Sequence, residues 1–166
     1  IIRRLKAINP TGLIALCGDH VTALPEESMR ESPVDFILTG GDYDFTLIDL
    51  LAWLGSMSGS TPNGNPPAGV WYRPDAGTVA HTPPFTLTRD LNTLPMIDRE
   101  LTRWDLYARK NGNFRYTPGT YTMVGRDCWW GKCAFCSWTT LYSTWRTQTP
   151  DRLLNEIGVL LDRYPI

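Results

Sequence analysis

Three of the four cysteines fall within nine residues, in the run Arg126-Asp127-Cys128-Trp129-Trp130-Gly131-Lys132-Cys133-Ala134-Phe135-Cys136-Ser137-Trp138. The spacing is CxxxxCxxC. Thiolates this close along a chain can close on one metal centre while the backbone between them forms a loop. No histidine lies nearby, so the stretch offers three ligands and leaves a fourth coordination position open. A structural zinc site takes four protein ligands. A cluster of four irons held by three thiolates keeps one iron free for a substrate or cofactor. Spacing alone keeps two other classes in play. One is a non-catalytic zinc-stabilised module, its fourth ligand coming from Cys17, His20 or a partner. The other is an electron-transfer iron–sulfur module, which has four protein ligands per cluster.

The flanks of the cysteines carry local signals. Residues 120–124 read as a short strand. Residues 137–148 read as an aromatic, hydroxyl-rich loop. Thr149 then suits a helix N-cap, Pro150 the first helical position and Asp151 the positive helix start. Leu153, Leu154, Ile157, Leu160 and Leu161 follow at helical spacing. The expected unit is strand, cysteine loop, helix, with the helix packed on the strand through Val124.

This arrangement resembles the radical S-adenosylmethionine superfamily, whose members carry CxxxCxxC after the first strand of a partial (β/α) barrel. Phe135 matches the aromatic residue that commonly precedes the last cysteine. The chain departs by one extra residue between Cys128 and Cys133, and Gly131 is the residue able to absorb it, since glycine accepts turn conformations that others avoid. The resemblance implies Cys128, Cys133 and Cys136 as the metal ligands of a [4Fe–4S] cluster. It implies S-adenosylmethionine as second cofactor, bound to the free iron and cleaved reductively to a 5′-deoxyadenosyl radical. Phe135 would lie near the adenine, as a cofactor-binding residue. A one-electron reductant such as flavodoxin or ferredoxin is the implied partner, and the substrate is a small molecule or peptide of unspecified identity. Trp129 and Trp130 suit shielding of a cluster from water, or packing on a further part of a barrel. Arg126 and Lys132 suit offsetting its negative charge, or plain solvation.

The formal net charge of −1 gives no global basic field, so nucleic acid is not indicated as a partner. No apolar run approaches membrane-spanning length, and the start, Ile1-Ile2-Arg3-Arg4, lacks a secretory apolar core. Clustered cysteines without such a leader read as metal ligands in a reducing cytoplasm rather than as a disulfide frame. The chain does not begin with Met and reads as a fragment.

From the start of the chain, residues 12–17 (GLIALC) form a continuous apolar run, the pattern of a parallel strand covered on both faces. Cys17 within it reads as a buried small hydrophobe. Gly18-Asp19-His20 reads as a turn. Residues 23–29 read as a short helix, 34–39 as a second strand, Gly40-Gly41 as a turn, and 44–54 as a helix with Phe45, Ile48, Leu51 and Leu54 near one face. The fold class expected is therefore α/β, beginning with half of a doubly wound sheet. Residues 1–54 resemble the end of a cobalamin-binding Rossmann-like domain, on the runs Leu13-Ile14-Ala15-Leu16-Cys17-Gly18-Asp19-His20, Leu24-Pro25-Glu26-Glu27 and Val34-Asp35-Phe36-Ile37. The resemblance makes Gly18, Gly40 and Gly41 loop positions open to a cofactor's nucleotide tail, against a plainer role as tight turns. The cobalt-ligating DxHxxG motif is absent from these residues, so cobalamin is assigned to an intact parent.

Residues 55–69 are rich in Gly, Ser, Pro and Asn and read as a linker or long loop. Residues 70–80 read as a strand–turn–strand hairpin around Pro74-Asp75-Ala76-Gly77. Residues 98–109 read as a short helix and 111–119 as a polar loop. Three regions result: 1–54 as the cobalamin-type α/β part, 55–119 as linker, hairpin and connecting segment, and 120–166 as the start of a radical S-adenosylmethionine barrel with its cluster loop.

Overall fold

The computed structural model describes residues 1–56, 64–75, 77–138 and 144–166. The chain divides into two compact units. The first comprises Ile1–Arg89 and Trp130–Ser143, the second Asp90–Trp129 and Thr144–Ile166.

The first unit is built on β1 (Ala15–Cys17), β2 (Phe36–Leu38), β3 (Val70–Tyr72) and β4 (Ala80–His81), in the spatial order β1-β2-β3-β4. β1 and β2 run parallel, with Leu16 opposite Ile37, and β2–β3 and β3–β4 are antiparallel. Helices α1 (Ile2–Ile8), α2 (Asp19–Ala23), α3 (Pro25–Glu31) and α4 (Tyr43–Gly55) complete it. The fold is α/β with a mixed sheet. Successive side chains of a strand point to opposite faces, and β2 uses both. Ile37 joins Val21, Met29 and Val34 in one core beside α2 and α3. Phe36 and Leu38 join Leu50 of α4 and Val70 of β3 in another.

α1 is held at the entrance of the parallel pair by a charge. Lys6 Nζ lies 2.6 Å from Asp35 Oδ2, and the Ile14 amide donates to that same oxygen at 2.7 Å. Arg73 secures the other margin, donating from Nε to the Val34 carbonyl and from its terminal nitrogen to the carbonyls of Met29 and Ser32. These last carbonyls of α3 have no partner inside the helix, so the guanidinium caps its end.

Several expectations are corrected here. β1 is covered on one face only: Ile14 and Leu16 pack on the first core, while Leu13, Ala15 and Cys17 are exposed. Among the described residues α4 covers the opposite face at β2 and β3, not at β1, so Cys17 is an exposed free thiol rather than a buried one. Residues 19–20 open α2 instead of forming a turn. On α4 the buried side chains are Phe45, Thr46 and Leu50, with Trp53 and Leu54 beside them, while Ile48 and Leu51 face outward. Pairing of β3 with β2 makes the hairpin part of this sheet. The linker at 55–69 and the hairpin turn fall partly on residues 57–63 and 76, which lie outside the described residues.

The second unit is organised by one buried cation. Arg99, 5% exposed, donates to Thr120 Oγ1 at 3.0 Å and to the Tyr121 carbonyl at 2.6 Å, and pairs with Glu156 Oε1 at 3.3 Å. Glu156 lies on α6 (Pro150–Arg163), where it is buried with Leu160. Thr149 caps this helix as read from the sequence, its hydroxyl accepting from the Arg152 amide. Asn92, in a 3-10 turn at Leu91–Thr93, accepts from the Thr149 amide at 2.8 Å and fixes the approach. The expected apolar stripe turns only partly inward. Leu160 is buried, but Leu154 and Leu161 are more than 60% exposed, because the inner face is centred on Glu156 and its ion pair. The helix expected over 98–109 is shortened to α5 (Asp105–Ala108), preceded by turns.

Two outcomes test this account. Ile37→Ala should cost about 3 kcal/mol in denaturant unfolding, as a fully buried side chain removed from a packed core. Glu156→Ala should cost about 3 kcal/mol in the same measurement, because it leaves the Arg99 charge buried without its carboxylate.

Candidate metal centre

The cysteine loop leaves and re-enters the second unit through a two-pair antiparallel ladder, β5 (Gly125–Arg126) with β6 (Arg146–Thr147). This corrects the strand expected over 120–124. Those residues are irregular, and Val124 is more than half exposed, so it is not the contact for the following helix. The reason lies at Gly125. A Cβ there would overlap the carbonyl oxygen of Arg146, so the two backbones approach this closely only where one has no side chain. Beyond the ladder the Gln148 amide donates to the Val124 carbonyl at 2.9 Å, and Gln148 Nε2 donates to the Met123 carbonyl at 3.2 Å.

On the loop side of the ladder Arg146 donates to Asp127 Oδ2 at 3.1 Å. Both side chains are withdrawn from water, Asp127 at 5% and Arg146 at 12% exposure. Asp127 has a φ of 71°, in the left-handed region that Asp and Asn tolerate better than other side chains. Cys128 follows directly.

Cys128 belongs to the second unit, Cys133 and Cys136 to the first. None of the three is in a disulfide, and all are of intermediate exposure. The Cys136 amide donates to the Cys133 carbonyl at 3.1 Å, a tight turn that sets the CxxC pair. Gly131 has a φ of 59°, so the residue expected to take up the longer spacing does adopt the left-handed conformation. Lys132 Nζ lies 5.8 Å from the centre of the Trp130 ring. Phe135 is 92% exposed. Residues 139–143 of the expected aromatic loop lie outside the described residues. Among the described residues no three His, Cys, Asp or Glu side chains are gathered around a common point for a metal ion. The donor set nonetheless suits a soft, thiolate-preferring centre: three sulfurs, none committed to a disulfide and none fully buried.

The three glycines singled out in the first unit lie just past the carboxyl ends of β1 and β2. Gly18, Gly40 and Gly41 have φ of 125°, 97° and 96°, all in glycine's own territory. They differ in what faces them. A Cβ at Gly18 would meet open space, whereas one at Gly40 would press on Phe85. A turn filled by a neighbour therefore accounts for Gly40. His20 is an exposed residue of α2. The buried Arg99–Glu156 pair escaped the sequence reading, since a glutamate within a leucine-rich helix looks like its solvent face.

The chain is 29% identical over 165 residues to an uncharacterized methyltransferase of Pyrococcus horikoshii, covering 97% of this chain and 33% of that protein. It is 23% identical over 161 residues to the anaerobic magnesium-protoporphyrin IX monomethyl ester cyclase of Rubrivivax gelatinosus, covering 97% of this chain and 28% of the relative. The chain thus spans about a third of the length of the curated relatives it matches. Both are named as enzymes. No family model matches the chain. No solved structure matches it. Among the described residues no helix is long and apolar enough to cross a membrane.

Two glycines separate packing from conformation. Gly125→Ala should destabilise the chain by about 2 kcal/mol in denaturant unfolding through overpacking of the ladder. Gly158→Ala, inside α6 with nothing near its added Cβ, should stabilise it by about 1 kcal/mol.

Proposed function

We propose that this chain carries the metal centre of a radical S-adenosylmethionine enzyme, with Cys128, Cys133 and Cys136 as thiolate ligands of a [4Fe–4S] cluster. The observation that carries the reading is the CxxxxCxxC run itself, three cysteines outside any disulfide on one loop tied at its neck by β5 and β6. The likeness to the two named enzymes runs through 97% of the chain and so includes this loop. Their names, methyltransferase and cyclase, fit one cofactor chemistry serving two reaction outcomes.

When bound, the cluster supplies one electron to the sulfonium of S-adenosylmethionine. The chain's residues bind and shield it. The Cys133–Cys136 turn carries two of the ligands three residues apart. Cys128 contributes the third from the far side of Gly131, whose left-handed backbone turns the longer spacing. Metal sites commonly form with their metal rather than before it, so the loop closes as its ligands are drawn in. Trp129, Trp130 and Trp138 are exposed large apolar side chains within the loop and would lower water access once it closes. Phe135, exposed next to Cys136, is the residue available to an adenine ring.

Anaerobic reconstitution with iron and sulfide should give a brown protein with broad violet–blue absorption and about four irons per chain. Cys128→Ala, Cys133→Ala and Cys136→Ala should each lose most of that iron, and Cys17→Ala should keep it. Adding S-adenosylmethionine should shift the electron paramagnetic resonance of the reduced protein. A colourless protein holding one zinc would replace this reading with the zinc-stabilised module.

A further inference from the structure

The polar contact at the neck of the cysteine loop is built at some cost. Asp127 occupies a left-handed conformation that L-residues adopt less readily than the right-handed one. Its carboxylate is almost withdrawn from water and meets a guanidinium that is nearly as sheltered. Partly buried charges are expensive to desolvate and are tolerated where they fix one arrangement among several. Strained backbone likewise persists only where its surroundings over-determine it. Three features do so here. The ladder needs the bare backbone of Gly125, the Gln148 amide and side chain extend the pairing to Val124 and Met123, and Arg146 reaches back across the ladder to Asp127.

Cys128 is the next residue. The direction in which the chain leaves Asp127 decides where the Cys128 sulfur starts, because one peptide separates them. A two-pair ladder frays easily without support from side chains. An ion pair on its loop side resists opening where opening would release Cys128.

We infer that Asp127 and Arg146 form a clasp that positions Cys128 and slows release of metal from the cysteine loop. The inference rests on the cluster reading above. Both are positioning residues, acting through the backbone of the loop rather than as ligands. The wider expectation comes from groups that orient metal ligands from outside, whose loss weakens metal binding 10- to 100-fold.

The test uses the full chain and two readouts. Asp127→Asn keeps a side chain that tolerates left-handed φ but removes the charge. Arg146→Gln removes the partner charge, and Arg146→Lys restores it. In the iron-free protein, exchange of the Gln148 amide reports opening of the neck. It should be roughly tenfold faster in Asp127→Asn and Arg146→Gln than in the parent. In the anaerobically reconstituted protein, the rate of iron loss to a strong chelator should rise about 10- to 100-fold in the same two variants, with Arg146→Lys close to the parent. Faster exchange with unchanged iron loss makes the clasp merely structural and overturns the inference, as does no change in either. A parent protein that takes up no iron overturns it together with the cluster reading. One that holds iron while the variants match it places the failure in the clasp alone.

Discussion

Alternation along a single strand organises the first unit. β2 is three residues long, yet it supplies both cores, because Ile37 points one way and Phe36 and Leu38 the other. A strand buried on both faces needs something apolar above and below it and a hydrogen-bonding neighbour on each side. α2 and α3 meet the first need on one face and α4 on the other, while β1 and β3 supply the ladders. The charged contacts are placed around this arrangement. Lys6 with Asp35 marks where the parallel pair begins, and Arg73 closes the end of α3.

The second unit reverses the relation between charge and core. Apart from α6 its regular elements are short, and its buried centre is an ion pair rather than an aliphatic strand. Arg99 gathers a carboxylate from α6, a hydroxyl from Thr120 and a carbonyl from Tyr121. That places one guanidinium between the helix that follows the cysteine loop and the segment that leads into it. A few residues further on, Asp127 and Arg146 tie the same two stretches again. A loop anchored at two successive levels presents its first cysteine from a defined backbone position.

Local chemistry was the legible part of the sequence. Thr149, Pro150 and Asp151 announced the start of α6 because capping depends on residues within one turn. Pro25 and the two glutamates after it suit the start of α3 in the same way. The α/β class followed from runs that alternate with helical periods. What local pattern could not carry was the identity of distant partners. Residues 12–17 look buried on both sides, and only the placement of α4 over β2 and β3 leaves Cys17 exposed. The strand before the cysteines was misplaced because its position depends on a carbonyl at Arg146 approaching Gly125 across the whole loop. Leucines at 154 and 161 were counted inward because no helical period reveals that Glu156 is paired from outside the helix.

The same distinction bears on the choice between metals. A four-ligand zinc site needs a fourth donor brought to the loop by tertiary structure, which is the information that sequence carries least well. Cys17 and His20 were the available donors, and the structure exposes both, one at a strand end and one on a short helix. The three-thiolate proposal asks for less. Its ligands lie within nine residues of the chain, its one irregular spacing is turned by a glycine already in a left-handed conformation, and its neck is tied beside the first sulfur. A site whose donors are local can be assembled by its metal from a loop, whereas a site with a remote donor depends on the surrounding fold to supply it.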